Sequence, residues 1–86
     1  MGKKLIDSSP PVYPTKAKAN HVAGTIGLSA VIGRDGSVAE VTVLSGNPVL
    51  AKAAVSAVHK WHYRPTTISG YPVEVLTEVD VNFHLN

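Results

Sequence analysis

His59 and His62 stand three residues apart in a segment with helical periodicity, so the two imidazoles fall on one face, as the start of a metal site would require. A protein metal centre needs three or four ligands, and no carboxylate or third histidine lies near this pair in the sequence. The two histidines therefore read as a solvated helix face, and neither a metal ion nor a cofactor is expected. Serine, histidine and aspartate all occur, yet no nucleophile-elbow pattern or activating constellation frames them. No catalytic residue is assigned, and the chain is not expected to be an enzyme.

Gly33-Arg34-Asp35-Gly36 matches in letters the GxxG of KH RNA-binding domains, but that loop joins two helices whereas this one joins two strand-like segments. The eight basic residues Lys3, Lys4, Lys16, Lys18, Arg34, Lys52, Lys60 and Arg64 form no run longer than two. A nucleic-acid footprint clusters its positive charge and interleaves it with aromatics, so no nucleic-acid partner is expected.

The 86 residues are 44% hydrophobic and 16% charged, which fits one small globular domain and excludes a disordered tail. A chain of this size buries only about 60–65% of the surface its unfolded form exposes. Its core is then one layer of sheet under one layer of helix, with little material for a deep catalytic cavity. There are no cysteines, hence no disulfide frame and no thiolate site. No apolar run approaches the ~20 residues that cross a bilayer. Any membrane anchor of a parent protein is expected to lie outside these residues.

Residues 1–12 read as an extended arm and residues 13–86 as the domain. Proline fixes its own φ and restricts its predecessor, so Pro10-Pro11-Val12-Tyr13-Pro14 is extended. A short helix is expected from Pro14 to His21. Gly24 to Gly33 alternates, with Ile26, Leu28, Ala30 and Ile32 on one face, as a half-buried strand does. Arg34-Asp35-Gly36-Ser37 makes a tight turn, and a second strand follows from Ser37 to Ser45. In that strand the spacing of Val38, Val41 and Val43 breaks the two-residue period, which predicts a β-bulge near Ala39-Glu40. Asn47 and Pro48 start a helix whose apolar stripe is Leu50, Ala54, Ala57, Val58 and Trp61, with Pro65 ending it. Trp61 continues the stripe and is assigned to the core, while Tyr63, Arg64 and Pro65 pack or cap where the helix ends. Thr66 to Pro72 is expected to be a loop. Val73 to Leu85 alternates throughout and predicts one thirteen-residue strand about 43 Å long.

These elements predict an α+β fold of αββαβ order, a two-layer sandwich in which helices cover a three-stranded antiparallel-type sheet of order 2-1-3. The last strand is then an edge with free N–H and C=O groups, and Glu74, Glu78 and Asp80 on its outer face partly blunt it. Such an edge accepts a partner strand, and a second copy of the chain, forming a homodimer, is one candidate. Leu76 is the apolar exception on its outward side.

Pro11-Val12-Tyr13-Pro14, Gly24-Thr25, Asp35-Gly36-Ser37-Val38, Ser45-Gly46, Leu50 with Ala53-Ala54, the segment from Ala57 through Trp61-His62-Tyr63-Arg64 to Pro65, Gly70-Tyr71-Pro72-Val73 and Val81-Asn82-Phe83 together resemble the C-terminal domain of TonB-family energy transducers. The resemblance runs from about Leu5 to Leu85. Its most specific part is Trp-x-Tyr-x-Pro after an alanine-rich helix; His59 and His62 stand where the family commonly has basic residues. The resemblance implies a periplasmic domain, tethered through a proline-rich linker to one inner-membrane helix of a Gram-negative bacterium and working with an ion-driven motor of the ExbB and ExbD type. It implies binding of the TonB box of outer-membrane transporters as a strand added beside the last strand, here Val73, Glu74, Val75, Leu76, Thr77, Glu78, Val79, Asp80 and Val81. The arm, Ser8 to Val12 with Pro10, Pro11 and the adjoining Tyr13, also approaches the transporter in the family, although the glutamines of some members are missing here. A TolA-like envelope-integrity domain, and a sensor or binding appendage of a larger membrane protein, are the alternative readings.

Overall fold

A computed structural model describes residues 5–7 and 9–85. The arm's Ser8 and residues 1–4 lie outside the described part. The chain runs β1 (Leu5–Asp7), α1 (Thr15–Ala19), β2 (Gly24–Ile32), β3 (Val38–Ser45), α2 (Pro48–His59), β4 (His62–Tyr63), β5 (Thr66–Ile68), β6 (Tyr71–Val73) and β7 (Val75–Phe83). The fold is α+β, and its main sheet is ordered β3-β2-β7 with both pairings antiparallel.

Alternation on β2 decides which face is covered. Ile26, Leu28, Ala30 and Ile32 are buried, and their partners across the ladder to β7 are Val81, Val79, Thr77 and Val75. Ala17 of α1 and Leu50, Ala51, Ala54 and Val58 of α2 close the same core cluster. The opposite face carries Thr25, Gly27, Ser29 and Val31 with Leu76, Glu78, Asp80 and Asn82, so one side of the sheet is apolar and packed while the other is open and mostly polar, with Val31 and Leu76 its apolar members.

The turn between β2 and β3 is built by its own side chains. The Asp35 carboxylate accepts the Ser37 hydroxyl at 2.7 Å and the Ser37 N–H at 3.0 Å, and these two bonds hold its pKa below the usual aspartate range. Gly36 has φ +89°, the left-handed conformation that such a turn requires. On β3 the register passes from Glu40 opposite Val31 to Val38 opposite Ile32, leaving Ala39 unpaired as a bulge. The interrupted spacing of the valines has its cause there.

At the start of α2 the Asn47 side chain accepts the Val49 N–H at 2.8 Å, and Pro48 takes the first helical position. The helix stops at His59, earlier than its apolar stripe suggests. Lys60 and Trp61 donate to the carbonyls of Ala57 and Val58, tightening the last turn. His62–Tyr63 is then extended, pairs with β1, and places the Tyr63 N–H 2.8 Å from the Gly36 carbonyl. Tertiary pairing overrides the helical period from Trp61 onward.

Two further expectations are corrected. Thr66 to Pro72 is not a loop: Thr66, Thr67 and Ile68 face Val73, Pro72 and Tyr71 in a hairpin turned by Ser69 and Gly70, both at positive φ. The final strand is not thirteen residues long. Tyr71–Val73 belongs to that hairpin, the pairing breaks at Glu74, and β7 proper covers nine residues, about 30 Å. Among the described residues no helix is long and apolar enough to cross a membrane.

Candidate partner-binding edge

β7 pairs with β2 without a register shift from Val75 opposite Ile32 to Phe83 opposite Gly24. Its other side meets no strand of the described residues. The sheet's second outer strand, β3, is a poorer template, because register shifts at both ends interrupt its ladder. β7 holds no proline, lysine or arginine, the usual devices that blunt an edge. Glu78 and Asp80 are its only charged residues.

Burial along β7 grades from one end to the other. Val75, Thr77 and Val79 are half-buried, while Val81 and Phe83 are buried. The core layer is thus incomplete beside the first half of the strand, where one more strand would cover it. On the other face Leu76 is 70% exposed, and Glu78, Asp80 and Asn82 are exposed in turn. Thr25 donates its hydroxyl hydrogen bond to the Asn82 side chain across the ladder, tying the far end of the strand to β2.

Of the residues assigned to the site from sequence, Val75, Leu76, Thr77, Glu78, Val79, Asp80 and Val81 lie together on this edge. Val73 and Glu74 do not: Val73 is paired with Thr66 in the hairpin, and Glu74 occupies the break. The arm is placed differently again. Tyr13 packs its ring edge-on against Phe83 at 5.4 Å between centroids and donates its hydroxyl to the Val22 carbonyl. Both ends of this side chain are engaged inside the domain. Pro10 and Val12 line a shallow cavity of about 110 Å³ against Ala53, Ser56 and Lys60 of α2 and its cap, with Val12 81% exposed. α2 lies over β3 and β2, so this part of the arm is on the helical layer and not beside β7.

Trp61 fixes the arm there. Its indole N–H donates to the Ser9 carbonyl at 2.8 Å, so the side chain, half-buried beyond the helix end, clasps the arm to the domain. Replacing Trp61 by phenylalanine keeps most of the apolar contact and removes that bond, at a cost of about 1 kcal/mol. The expected result is a fall in Tm of about 4–8 °C and earlier protease cleavage before Tyr13. Melting and cleavage identical to the parent chain would show that the arm is held by other contacts.

His59 closes α2 and His62 opens β4, both exposed; among the described residues no group of three or more His, Asp or Glu converges on a metal position. Burial raises the pKa of half-buried Tyr63. Sequence reasoning missed the hairpin of β5 and β6, which exposes Ile68 and Tyr71 at 63% and 74%. The signal was Ser69-Gly70 after the β-prone triplet Thr66–Ile68, with Pro72 masking the second strand.

The family model for the Gram-negative bacterial TonB protein C-terminal matches residues 9–85. A TonB protein of Xanthomonas campestris pv. campestris is 35% identical over 80 residues, covering 91% of this chain and 36% of its own length. A TonB protein of Haemophilus influenzae is 35% identical over 69 residues, covering 78% of this chain and 26% of its own length. The chain thus spans between about a quarter and about a third of the length of these curated relatives. The solution NMR structure of the Pseudomonas aeruginosa TonB CTD superposes with a TM-score of 0.79 at 26% identity, covering 95% of this chain and 85% of that one.

Proposed function

This chain belongs to the family of TonB C-terminal domains, and from that premise we propose that it is the partner-binding domain of a TonB-type energy transducer, taking the TonB box of an outer-membrane transporter as an added strand on β7. The observation that carries the reading is the unbroken nine-residue ladder of β7, whose outer side meets no strand of the described residues. In this reading the domain works in the periplasm without chemistry of its own, and the inner-membrane anchor and an ExbB/ExbD-type motor act on other parts of the transducer.

A box of five to seven residues makes about four to six backbone hydrogen bonds with such an edge, each contributing about 0.5–1.5 kcal/mol net before ordering costs. Equilibrium affinity is then modest. Pulling along paired strands loads these bonds together, so a transient complex still transmits force. The half-buried Val75, Thr77 and Val79 supply the apolar part of the contact.

Backbone amide NMR titration with TonB-box peptides from the chain's own genome tests the proposal. The expected shifts concentrate in Val75–Phe83 and in Ser29 to Ile32 of β2, which senses any change in β7 through the ladder. A folded chain that gives no response at millimolar peptide, or responds only on α2, overturns it.

A further inference from the structure

We propose that Pro72 closes one end of the docking edge: the strand accepted by β7 leaves the sheet at Glu74 and cannot run on along β6. The inference rests on strand addition at β7 and names a boundary of that site. It follows from which backbone groups face outward. Gly33 donates its N–H to the Ser37 carbonyl at 2.8 Å and accepts the Gly36 N–H at 2.9 Å, so both of its backbone groups point to the β3 side. Successive residues of a strand point these groups to opposite sides, so Ile32, Ala30, Leu28, Ile26 and Gly24 point theirs to β7. The alternation holds along β2, because both irregularities of the β2–β3 ladder leave their extra residue, Ala39 or Leu44, on β3. The partners Val75, Thr77, Val79, Val81 and Phe83 are then turned inward to β2. Leu76, Glu78, Asp80 and Asn82 present the N–H and C=O groups of the outer side.

The neighbouring hairpin keeps the same parity. Ile68 and Tyr71 flank the two-residue turn Ser69-Gly70, and in such a hairpin the flanking residues exchange both hydrogen bonds. Thr66 and Val73 repeat this two residues on, whereas Thr67 and Pro72 turn their backbone groups away from each other. Pro72 therefore faces the side of β6 that meets no strand of the described residues. Even-numbered positions stay outward on both sides of Glu74, where the chain makes no turn or bend, so the two free edges run on from one another. Any other residue type at position 72 would continue the row of outward donors into a hairpin that already exposes Ile68 and Tyr71. Proline removes that donor, and its ring fills the space that an incoming carbonyl would take. The hairpin itself is undisturbed, because the missing N–H faces away from β5.

The probe is a synthetic peptide, a TonB box from the chain's own genome with four threonines added at each end, so that it can reach β6. It is titrated into the isotope-labelled parent chain and into Pro72→Thr, each shown to be folded by native-like amide dispersion in β2 and β3. In the parent the amides of Val75–Phe83 are expected to shift while those of Ile68 and Tyr71 stay in place. In Pro72→Thr the hairpin amides, with the new amide at position 72, should shift along with those of β7. Affinity should rise about fivefold, as one added backbone hydrogen bond gives. If the variant binds with the parent's affinity and its hairpin amides stay in place, or if the parent's own hairpin amides shift as far as those of β7, the boundary is overturned while strand addition stands. If the peptide shifts no β7 amide in either chain, strand addition itself fails for this box, and the inference falls with it.

Discussion

Replacing Gly36 by alanine is expected to destabilise the chain by about 2–5 kcal/mol, the sum of two separate costs. A residue with a Cβ in the left-handed region costs about 1–2 kcal/mol, and Gly36 sits at φ +89°. The added methyl also falls well inside van der Waals contact of the Tyr63 carbonyl oxygen, with Pro65 Cδ 3.5 Å away. The obstacle is backbone, held by the Tyr63 N–H bond to the Gly36 carbonyl at 2.8 Å, so it cannot swing aside as a side chain would. Overpacking of this kind costs typically 1–3 kcal/mol. Small domains have only about 5–15 kcal/mol in all, and each kcal/mol moves Tm by about 4–8 °C at this size. A fall in Tm of at least about 10 °C should follow. Gly70 is the control: its φ is +84°, but a Cβ there meets nothing within 4 Å. Gly70→Ala should cost only the conformational part, about 1–2 kcal/mol. Equal melting of the two variants would refute the packing argument, and a Gly36→Ala chain melting within about 3 °C of the parent would refute the whole account.

The second large effect concerns the partner's backbone. A strand presents alternate N–H groups to opposite sides, so N-methylation of every second residue in a bound peptide removes either the donors facing β7 or those facing solvent. A TonB-box peptide methylated on the residues that face β7 should lose about two or three hydrogen bonds and meet a steric block. At about 1 kcal/mol per bond, affinity falls at least about thirtyfold. The peptide methylated on the intervening residues should bind nearly as the parent does. Because the two carry equal numbers of methyl groups and identical side chains, intrinsic conformational effects are matched. Similar weakening of both would mean that side-chain docking, not strand addition, holds the partner.

Much of this architecture is legible without coordinates. Strict alternation over Gly24 to Ile32, the Asp35-Gly36 turn and the Asn47-Pro48 helix start are local signals, each decided by sterics or hydrogen bonds within a few residues. The interrupted valine spacing even marks the bulge at Ala39. Local signals fail where a distant partner competes. Trp61 continues the helical stripe, but the pairing of His62–Tyr63 with Leu5–Asp7 pulls the chain out of the helix immediately afterward. Alternation from Val73 to Leu85 is continuous in sequence, yet it cannot tell one strand from two segments that pair with different neighbours. Pro72 hid the hairpin, because proline is disfavoured in paired strands and is tolerated here in a short two-stranded ribbon.

For the candidate site the division is similar. Sequence alone determined that an alternating strand rich in valine, bearing Glu78 and Asp80, closes the domain, since side-chain periodicity is a property of the strand itself. Only the tertiary structure decided that Val73 and Glu74 leave that edge, that Tyr13 is turned inward against Phe83, and that Trp61 clasps the arm to the helical layer. It also gathered lysines scattered from Lys16 to Lys60 onto the helices and the cap of α2, while the three strands of the main sheet carry only acids. Periodicity fixes which face a residue takes within its own element; which neighbour that face meets is set by packing between elements far apart in the chain.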